Sequence, residues 1–420
     1  MSKLTQTDWD VIIVGGGPAG FFAGIRCAEL NSELNVLIIE KAQQTLGKVL
    51  ISGGGRCNVT HACFDPAQLI SYYPRGGAAL RGAFTRFQPE DTIKWFEKHG
   101  VRLKTESDGR MFPVTDSSAT IADCLRESAK KAGVTVQVGT SLQKVESLSG
   151  NGFRLEIRNE AKVLNLQTKK ILLATGSDPT TREIAKSLGH SIEEPVPSLF
   201  TFNILDKRLE GLAGVSVEPV TVKIDSLTQR GPLLITHWGL SGPAVLRLSA
   251  WGARTLFEKK YRATLQVNWL GDTTFEKALD VLQNHKAWRE NGRKKVLTEP
   301  AFTQLPARLW IQLASFIGEK NWGDVTKAEI KKLAEELTAC QFEITGKGQF
   351  KEEFVTCGGV RLDEVNFKTM QSRMVEKLFF AGEVLDIDGI TGGFNFQSSW
   401  TTGWLAGSAL SSTDEKRMNG

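Results

Sequence analysis

The 420-residue chain has no apolar run of the roughly 18 residues that a membrane helix needs, so no membrane partner is expected. Its opening residues, MSKLTQTDWD, lack the basic-then-apolar pattern of a secretory signal, and the expected location is the cytoplasm. None of the six cysteines (Cys27, Cys57, Cys63, Cys124, Cys340, Cys357) stands in a C-x-x-C pair. That removes zinc ribbons, iron–sulfur clusters and thioredoxin-type dithiols; no metal ligands are expected, and free thiols fit a reducing compartment. Charge is close to balanced: 52 Lys and Arg against 47 Asp and Glu leave +5. A surplus that small does not establish a polyanionic partner, and a pI near 8.8 does not exclude one. There is no internal repeat and no low-complexity tract. What is present is an ordinary globular composition, 41% hydrophobic and 24% charged, in a chain long enough for two or three domains. The 41 glycines gather in clusters, which marks them as local devices.

The first cluster carries chemistry. Asp10-Val11-Ile12-Ile13-Val14 is a β-branched run that ends in Gly15-Gly16-Gly17-Pro18-Ala19-Gly20; helix-compatible residues follow to Leu30, and residues 35–40 read as a second buried strand ending in Glu40. Strand, glycine turn, helix and strand within about 30 residues form a βαβ unit. G-x-G-x-x-G alone is weak, but in this context it reads as a dinucleotide site. Gly15 permits the tight turn, Gly17 lets a pyrophosphate approach the backbone, and Gly20 lets helix and strand pack closely. The helix N-terminus offers free N–H donors to the phosphates. Glu40 is placed to accept from ribose hydroxyls, which fits FAD or NAD and repels a 2′-phosphate.

Two later strands separate these cofactors. Ile171-Leu172-Leu173 runs into Ala174-Thr175-Gly176, and Leu378-Phe379-Phe380 runs into Ala381-Gly382-Glu383. In FAD-binding doubly wound folds such strands end near the cofactor, and an acid such as Glu383 bonds a ribityl or phosphate-adjacent group. A simple dehydrogenase needs no such pair. With no second G-x-G-x-x-G, a separate NAD(P)H-binding domain is not expected. Between them, strand-forming text at about 201–204, 215–224, 233–235 and 263–269 precedes helical text at 275–284, 306–317 and 327–339 and a last strand at 341–344. The expected fold is α/β: a doubly wound Rossmann-type FAD-binding domain from 1–197 and 357–420, with an inserted β-barrel plus helical domain at 198–356.

Six segments in order carry a resemblance. They are Gly47-Lys48-Val49-Leu50-Ile51-Ser52-Gly53-Gly54-Gly55-Arg56-Cys57-Asn58-Val59-Thr60, then residues 109–114 (GRMFPV), 236–244 (THWGLSGPA), 356–360 (TCGGV), 381–386 (AGEVLD) and 392–397 (GGFNFQ). Together they resemble the bacterial YhiN-like (BaiN-like) flavoprotein oxidoreductases, and more remotely the fumarate-reductase flavoproteins. The chain departs from the former at Phe394, where tyrosine is expected, and Phe396, where leucine is expected. The resemblance implies one FAD domain interrupted by a barrel-plus-helices insert.

The candidate cofactor set is therefore Gly15, Gly17, Pro18, Ala19, Gly20, Glu40, Lys41, Lys48, Gly53, Gly54, Arg56, Cys57, Asn58, Thr175, Gly176, Gly382, Glu383, Gly393, Phe394 and Asn395. The triple-glycine run lets backbone lie against a flat ring. Arg56 either faces the flavin or an anionic substrate or braces its loop; Asn58 either bonds a flavin edge or does the same. The helix after Gly393 aims N–H groups at the flavin N1–C2=O edge. His237 is either a proton donor to substrate or a structural histidine. Cys57 and Cys357 read as small buried side chains rather than a flavin–dithiol relay. No histidine suits a covalent link, so FAD is expected noncovalently. Arg289, Arg293, Lys294 and Lys295, with Lys259, Lys260 and Arg262 nearby, form a basic patch, a solvated face or an RNA contact without an aromatic signature. The expected chemistry is NAD(P)H-driven reduction of a polarised C=C bond in a small molecule. The alternatives are a uracil in RNA or a non-catalytic flavin redox sensor.

Overall fold

The computed structural model describes residues 8–148, 152–348 and 355–412. The chain divides into two compact units, Met1–Pro195 with Thr356–Gly420, and Val196–Val355.

The first unit is built on five parallel strands: β1 (Asp8–Val14), β2 (Val36–Ile39), β3 (Thr135–Gln137), β4 (Lys162–Leu173) and β5 (Leu378–Phe380). Their order is β5-β4-β1-β2-β3. Val11, Ile12, Ile13 and the whole of β2 are buried, so both sheet faces are covered, and these strands read as unbroken apolar runs instead of alternating. Strand order reverses between β1 and β4. A crevice outside the carboxyl ends of such a pair is where doubly wound sheets bind ligands. Antiparallel strands Thr140–Leu148 and Gly152–Asn159 extend the sheet from β4.

Two helices cover the crevice end of β1. Helix α1 (Pro18–Leu30) has proline at its first position, where no intrahelical N–H is required. Helix α2 (Phe394–Leu410) is buried on nearly every side, and its polar side chains are hydrogen-bonded within the fold: Gln397 accepts from Thr60 and Thr92 and donates to Thr401. They approach closely through small residues: a Cβ at Gly403 would stand 2.6 Å from the Ala19 carbonyl oxygen, and one at Gly407 2.4 Å from that of Ala23. A buried ion pair between Arg75 and the fully buried Asp388 ties the loop before α2 to the segment 73–76.

In the second unit six strands close into a barrel: Phe202–Ile204, Gly239–Ser241, Leu227–Thr236, Ser216–Ile224, Ala263–Asn268 and Cys340–Lys347, the last pairing with the first. Inward-facing Val222, Leu233, Ile235, Leu265, Val267 and Phe342 fill it. The strand expected at 233–235 is longer than its text suggests. Gly231-Pro232 looks like a break, yet it lies opposite a register shift between Val217 and Val220, an irregularity of the kind that admits proline. Helices Phe275–Ala287, Ala307–Ala314 and Lys327–Thr338 carry buried Leu309, Trp310 and Leu333 onto the same core. No helix among the described residues is long and apolar enough to cross a membrane.

Packing and propensity give opposite signs at Gly407. Alanine would favour an isolated helix by about 1 kcal/mol, but its methyl meets the α1 backbone. Gly407→Ala should lower stability by about 1–3 kcal/mol, the usual cost of overpacking, read from the urea midpoint. A pH test concerns His190, buried with its Nε2 2.8 Å from Ser372 Oγ and its ring edge-on to Phe380. Burial lowers its pKa, outweighing the attraction of Glu364. The unfolded chain takes up that proton near pH 6.5 and the folded chain only at lower pH, so stability falls as pH drops below about 6.5. His190→Gln should flatten that part of the stability–pH curve.

Candidate cofactor and active site

The glycine turn sits where β1 ends. Gly15 N–H donates to the Ile39 carbonyl at 2.8 Å, and Ala174 N–H to that of Val14 at 2.8 Å, so the ladder carries the turn and the Ala-Thr-Gly segment side by side. A Cβ on Gly15 (φ +113°) would lie 2.4 Å from the Ala174 oxygen, and one on Gly20 2.0 Å from the Gly15 oxygen. Both glycines are demanded by the protein. Gly17 is not: its φ is −89°, open to any residue, and a Cβ there would meet nothing within 4 Å. The empty volume above Gly17, at the free N–H groups of α1, is the space a pyrophosphate requires.

Glu40 lies beside this turn. Its Oε2 accepts from Gly16 N–H and its Oε1 from Ala42 N–H, both at 2.8 Å. Each carboxylate oxygen keeps a further lone pair for a ribose hydroxyl. The next residue, Lys41, pairs instead with Asp178. The Ala-Gly-Glu segment joins from β5: Gly382 N–H donates to Thr402 Oγ1 at 2.9 Å, and a Cβ on Gly382 (φ +74°) would stand 3.0 Å from Ala19 Cβ. Glu383 forms an ion pair with Lys48, and the nearest atoms to a Cβ on Gly176 would be Glu383 Oε2 and Lys48 Nζ. Thr175 Oγ1 is buried without a hydrogen-bond partner. An orphaned hydroxyl on the residue after Ala174, which packs against the Gly15 turn, fits a bound dinucleotide.

A second group of motifs adjoins the first along the chain. Leu46 N–H donates to the Gly16 carbonyl at 2.9 Å, and the segment Gly47–Gly55 starts there as a helix, then breaks at Ser52. Gly53, Gly54 and Gly55 follow with φ of +59°, +67° and +82°, and the last two face open space. The exposed run is bare backbone, onto which a flat ring can lie. Asn58 closes the loop: its amide donates to the Thr60 carbonyl and accepts from Gly393 N–H, both at 3.0 Å. Asn395 likewise bonds both backbone groups of Gly389 at 2.8 Å. What α2 offers a ligand is therefore the backbone N–H groups of its first turn, residues 394–396, which have no intrahelical acceptor.

Arg56 stands over the Phe112 ring at 4.0 Å, with Nη1 2.6 Å from Glu106 and 3.6 Å from Asp116. These carboxylates raise its pKa further and keep it charged. Its Nε and Nη2 have no acceptor among the described residues. Cys57 is buried, which pushes its thiol up to about 12, too high for a thiolate at neutral pH. None of the six cysteines is in a disulfide, and Cys357 is also buried. His237 belongs to the second unit, exposed in the turn between barrel strands Leu227–Thr236 and Gly239–Ser241. Among the described residues nothing hydrogen-bonds its imidazole.

The chain matches the HI0933-like protein Rossmann domain over residues 9–409. It belongs to that family. The family is one of FAD-dependent oxidoreductases, and the groups above fit FAD: a cradle at Gly17, Thr175 and Glu40 beside it, and bare backbone at 53–55. The chain is 30% identical to the ribosomal RNA dihydrouridine synthase of Escherichia coli, over 96% of this chain and 98% of that one. It is 27% identical to the 3-dehydro-bile acid delta(4,6)-reductase of Clostridium scindens, over 94% and 98%. Among solved structures, the 3-ketosteroid-delta4-(5alpha)-dehydrogenase of Rhodococcus jostii RHA1 shares the fold with a TM-score of 0.54 at 14% identity, covering 97% of both chains.

His61, immediately beyond the Gly47–Thr60 segment, belongs to the same site and is missing from the candidates that segment yields. Its ring stacks on Phe394 at 4.7 Å, Phe394 stacks on Tyr72 at 4.4 Å, and its Nε2 lies 3.1 Å from the Asp108 carbonyl. The buried Nδ1 of His61 has no hydrogen-bond partner among the described residues. The signal was available: His61 directly follows the GGGRCNVT segment.

The two classes of glycine predict different failures. Gly17→Glu should leave the unfolding midpoint of the apoprotein unchanged and abolish FAD loading, because the carboxylate occupies the pyrophosphate position. Gly20→Ala should lose both, since its methyl collides with the Gly15 carbonyl. Absorbance of the purified proteins and urea titration of the apo forms make the comparison.

Proposed function

We propose that this enzyme reduces a C=C bond conjugated with a carbonyl, using noncovalent FAD recharged by diffusible NAD(P)H, and that the bond is C5=C6 of a uracil in RNA. The observation that carries the reading is the full-length likeness to two enzymes whose names describe C=C reduction, the RNA-acting one at the higher identity. A small-molecule enone is the second reading, favoured by the bile acid relative.

Held in this cradle and reduced, FAD would supply the hydride for the electron-poor carbon of the double bond. This chain must then do three things. It must hold the cofactor: the N–H groups of α1 and Gly17 on the pyrophosphate, Glu40 on the ribose, Glu383 and Thr175 alongside, and the first turn of α2 toward N1–C2=O, where reduction leaves negative charge. It must anchor the substrate carbonyl, for which Arg56 has Nε and Nη2 to offer while Glu106 and Asp116 hold it still. It must protonate the carbon next to the one that takes the hydride. His237, with an exposed imidazole and no hydrogen-bond partner among the described residues, is our choice for that donor.

The experiment is nucleoside mass spectrometry of ribosomal RNA from a deletion strain and its parent. Loss of a dihydrouridine, restored by the wild-type gene, supports the RNA reading. Unchanged RNA, with enones reoxidising the reduced enzyme, would replace it by the second. His237→Ala should keep FAD and its reduction by NAD(P)H but slow substrate-dependent reoxidation by about 10²–10⁴-fold, the usual loss of a general acid. Equal rates of both half-reactions in stopped flow would remove His237 from the mechanism.

A further inference from the structure

The small positive charge of this protein is not spread over it. Residues 286–295, KAWRENGRKK, hold five cationic side chains and one carboxylate. The other 410 residues then hold 47 cationic and 46 anionic side chains, so nearly the whole surplus belongs to ten residues of the second unit. The third residue of that segment is Trp288, 70% exposed. It is the most exposed tryptophan of that unit among the described residues, whereas its neighbours in the helical part, Trp310 and Trp322, are buried, each with its indole N–H on a carbonyl.

The segment is held in one shape. Trp288 caps helix Phe275–Ala287, its N–H donating to the Asn284 carbonyl at 3.2 Å. Asn291 is buried, donating from its amide to the His285 carbonyl at 3.1 Å and from its N–H to that of Trp288 at 2.9 Å. Gly292 and Lys294 carbonyls accept from Gly323 at 3.0 Å and Trp322 at 2.9 Å. Three of the cations are already engaged: Lys286 on the Val325 carbonyl, Lys294 with Glu299, and Lys295 with Glu319. Arg289 and Arg293 are exposed and have no acid partner among the described residues. A large aromatic face left in water, followed along the pinned segment by two exposed guanidinium groups with no acid partner among the described residues, combines the two elements that bind single-stranded nucleic acid: a π surface for a base and cations for the phosphates beside it.

We propose that residues 286–295 form an RNA-docking surface, with Trp288 stacking an unpaired base and Arg289 and Arg293 contacting the adjoining phosphates. This rests on the RNA reading of the substrate and locates a contact for it outside the FAD-binding unit. Trp288 adds an aromatic element to what is otherwise a patch of basic side chains.

The test uses the FAD-loaded enzyme, a labelled single-stranded RNA carrying the uridine, and free uridine or an enone as small acceptor. Trp288→Ala and the double variant Arg289→Ala/Arg293→Ala change only exposed side chains. Each should weaken RNA binding at least tenfold, raise KM for RNA with little change in kcat, and leave turnover of the small acceptor as in wild type. The double variant should also flatten the plot of log affinity against log salt by about 1.4, the value for two lost contacts to a single strand. RNA binding and salt slope equal to wild type in both variants would overturn the docking surface, even if the enzyme makes dihydrouridine. Binding that depends on Trp288 without any dihydrouridine formed would keep the surface and overturn the uracil substrate instead.

Discussion

Helix α1 can begin where it does only because position 20 carries no side chain. A Cβ there would lie 2.0 Å from the Gly15 carbonyl oxygen, well inside van der Waals contact. With that contact allowed, the first turn of α1 drops onto the end of β1, its free N–H groups face the crevice beside β4, and Ala19 comes within reach of Gly382 and Gly403. The arrival of β5 and the seating of α2 both depend on this approach. The dinucleotide cradle and the core of the first unit are thus one packing problem, and a single missing methyl satisfies both.

The parts legible in the sequence are those whose physics is local. The β-branched run of β1, the glycine turn and the buried β2 announce a βαβ unit because each residue type is required within a few positions of the next. The six-segment resemblance then gave family and cofactor. Local text separates the three glycines only by their places in the motif, Gly15 for the turn, Gly17 for the pyrophosphate and Gly20 for helix–strand packing; the distance from each Cβ to its neighbours is visible only in the fold. Nor could local text show pairings across hundreds of residues, such as Lys48 with Glu383 or the Asn58 amide with Gly393. Exposure at a helix end was equally silent, so Trp288 passed as ordinary text.

The charged groups near the triple-glycine loop form a balanced set. Glu106 takes both Arg56 and Arg110, Asp108 takes Arg110, and Asp116 takes Arg56 and Lys104. Three cations face three anions, so the loop is held without a strong net field at the bare glycine backbone. Negative charge that builds on a reduced ring is left to the helix N-terminus and to whichever guanidinium N–H groups remain free.

Both units are finished by their last strand. The barrel closes when Cys340–Lys347 meets Phe202–Ile204, and the parallel sheet gains β5 and α2 from residues beyond 377. During synthesis, therefore, the glycine turn leaves the ribosome more than 350 residues before Glu383 and the α2 backbone that complete its cradle. The barrel has all its strands before the nucleotide fold has all of its own. Cofactor capture becomes a late event in the life of the nascent chain, and a truncated product has a nucleotide turn but no complete place to keep a flavin.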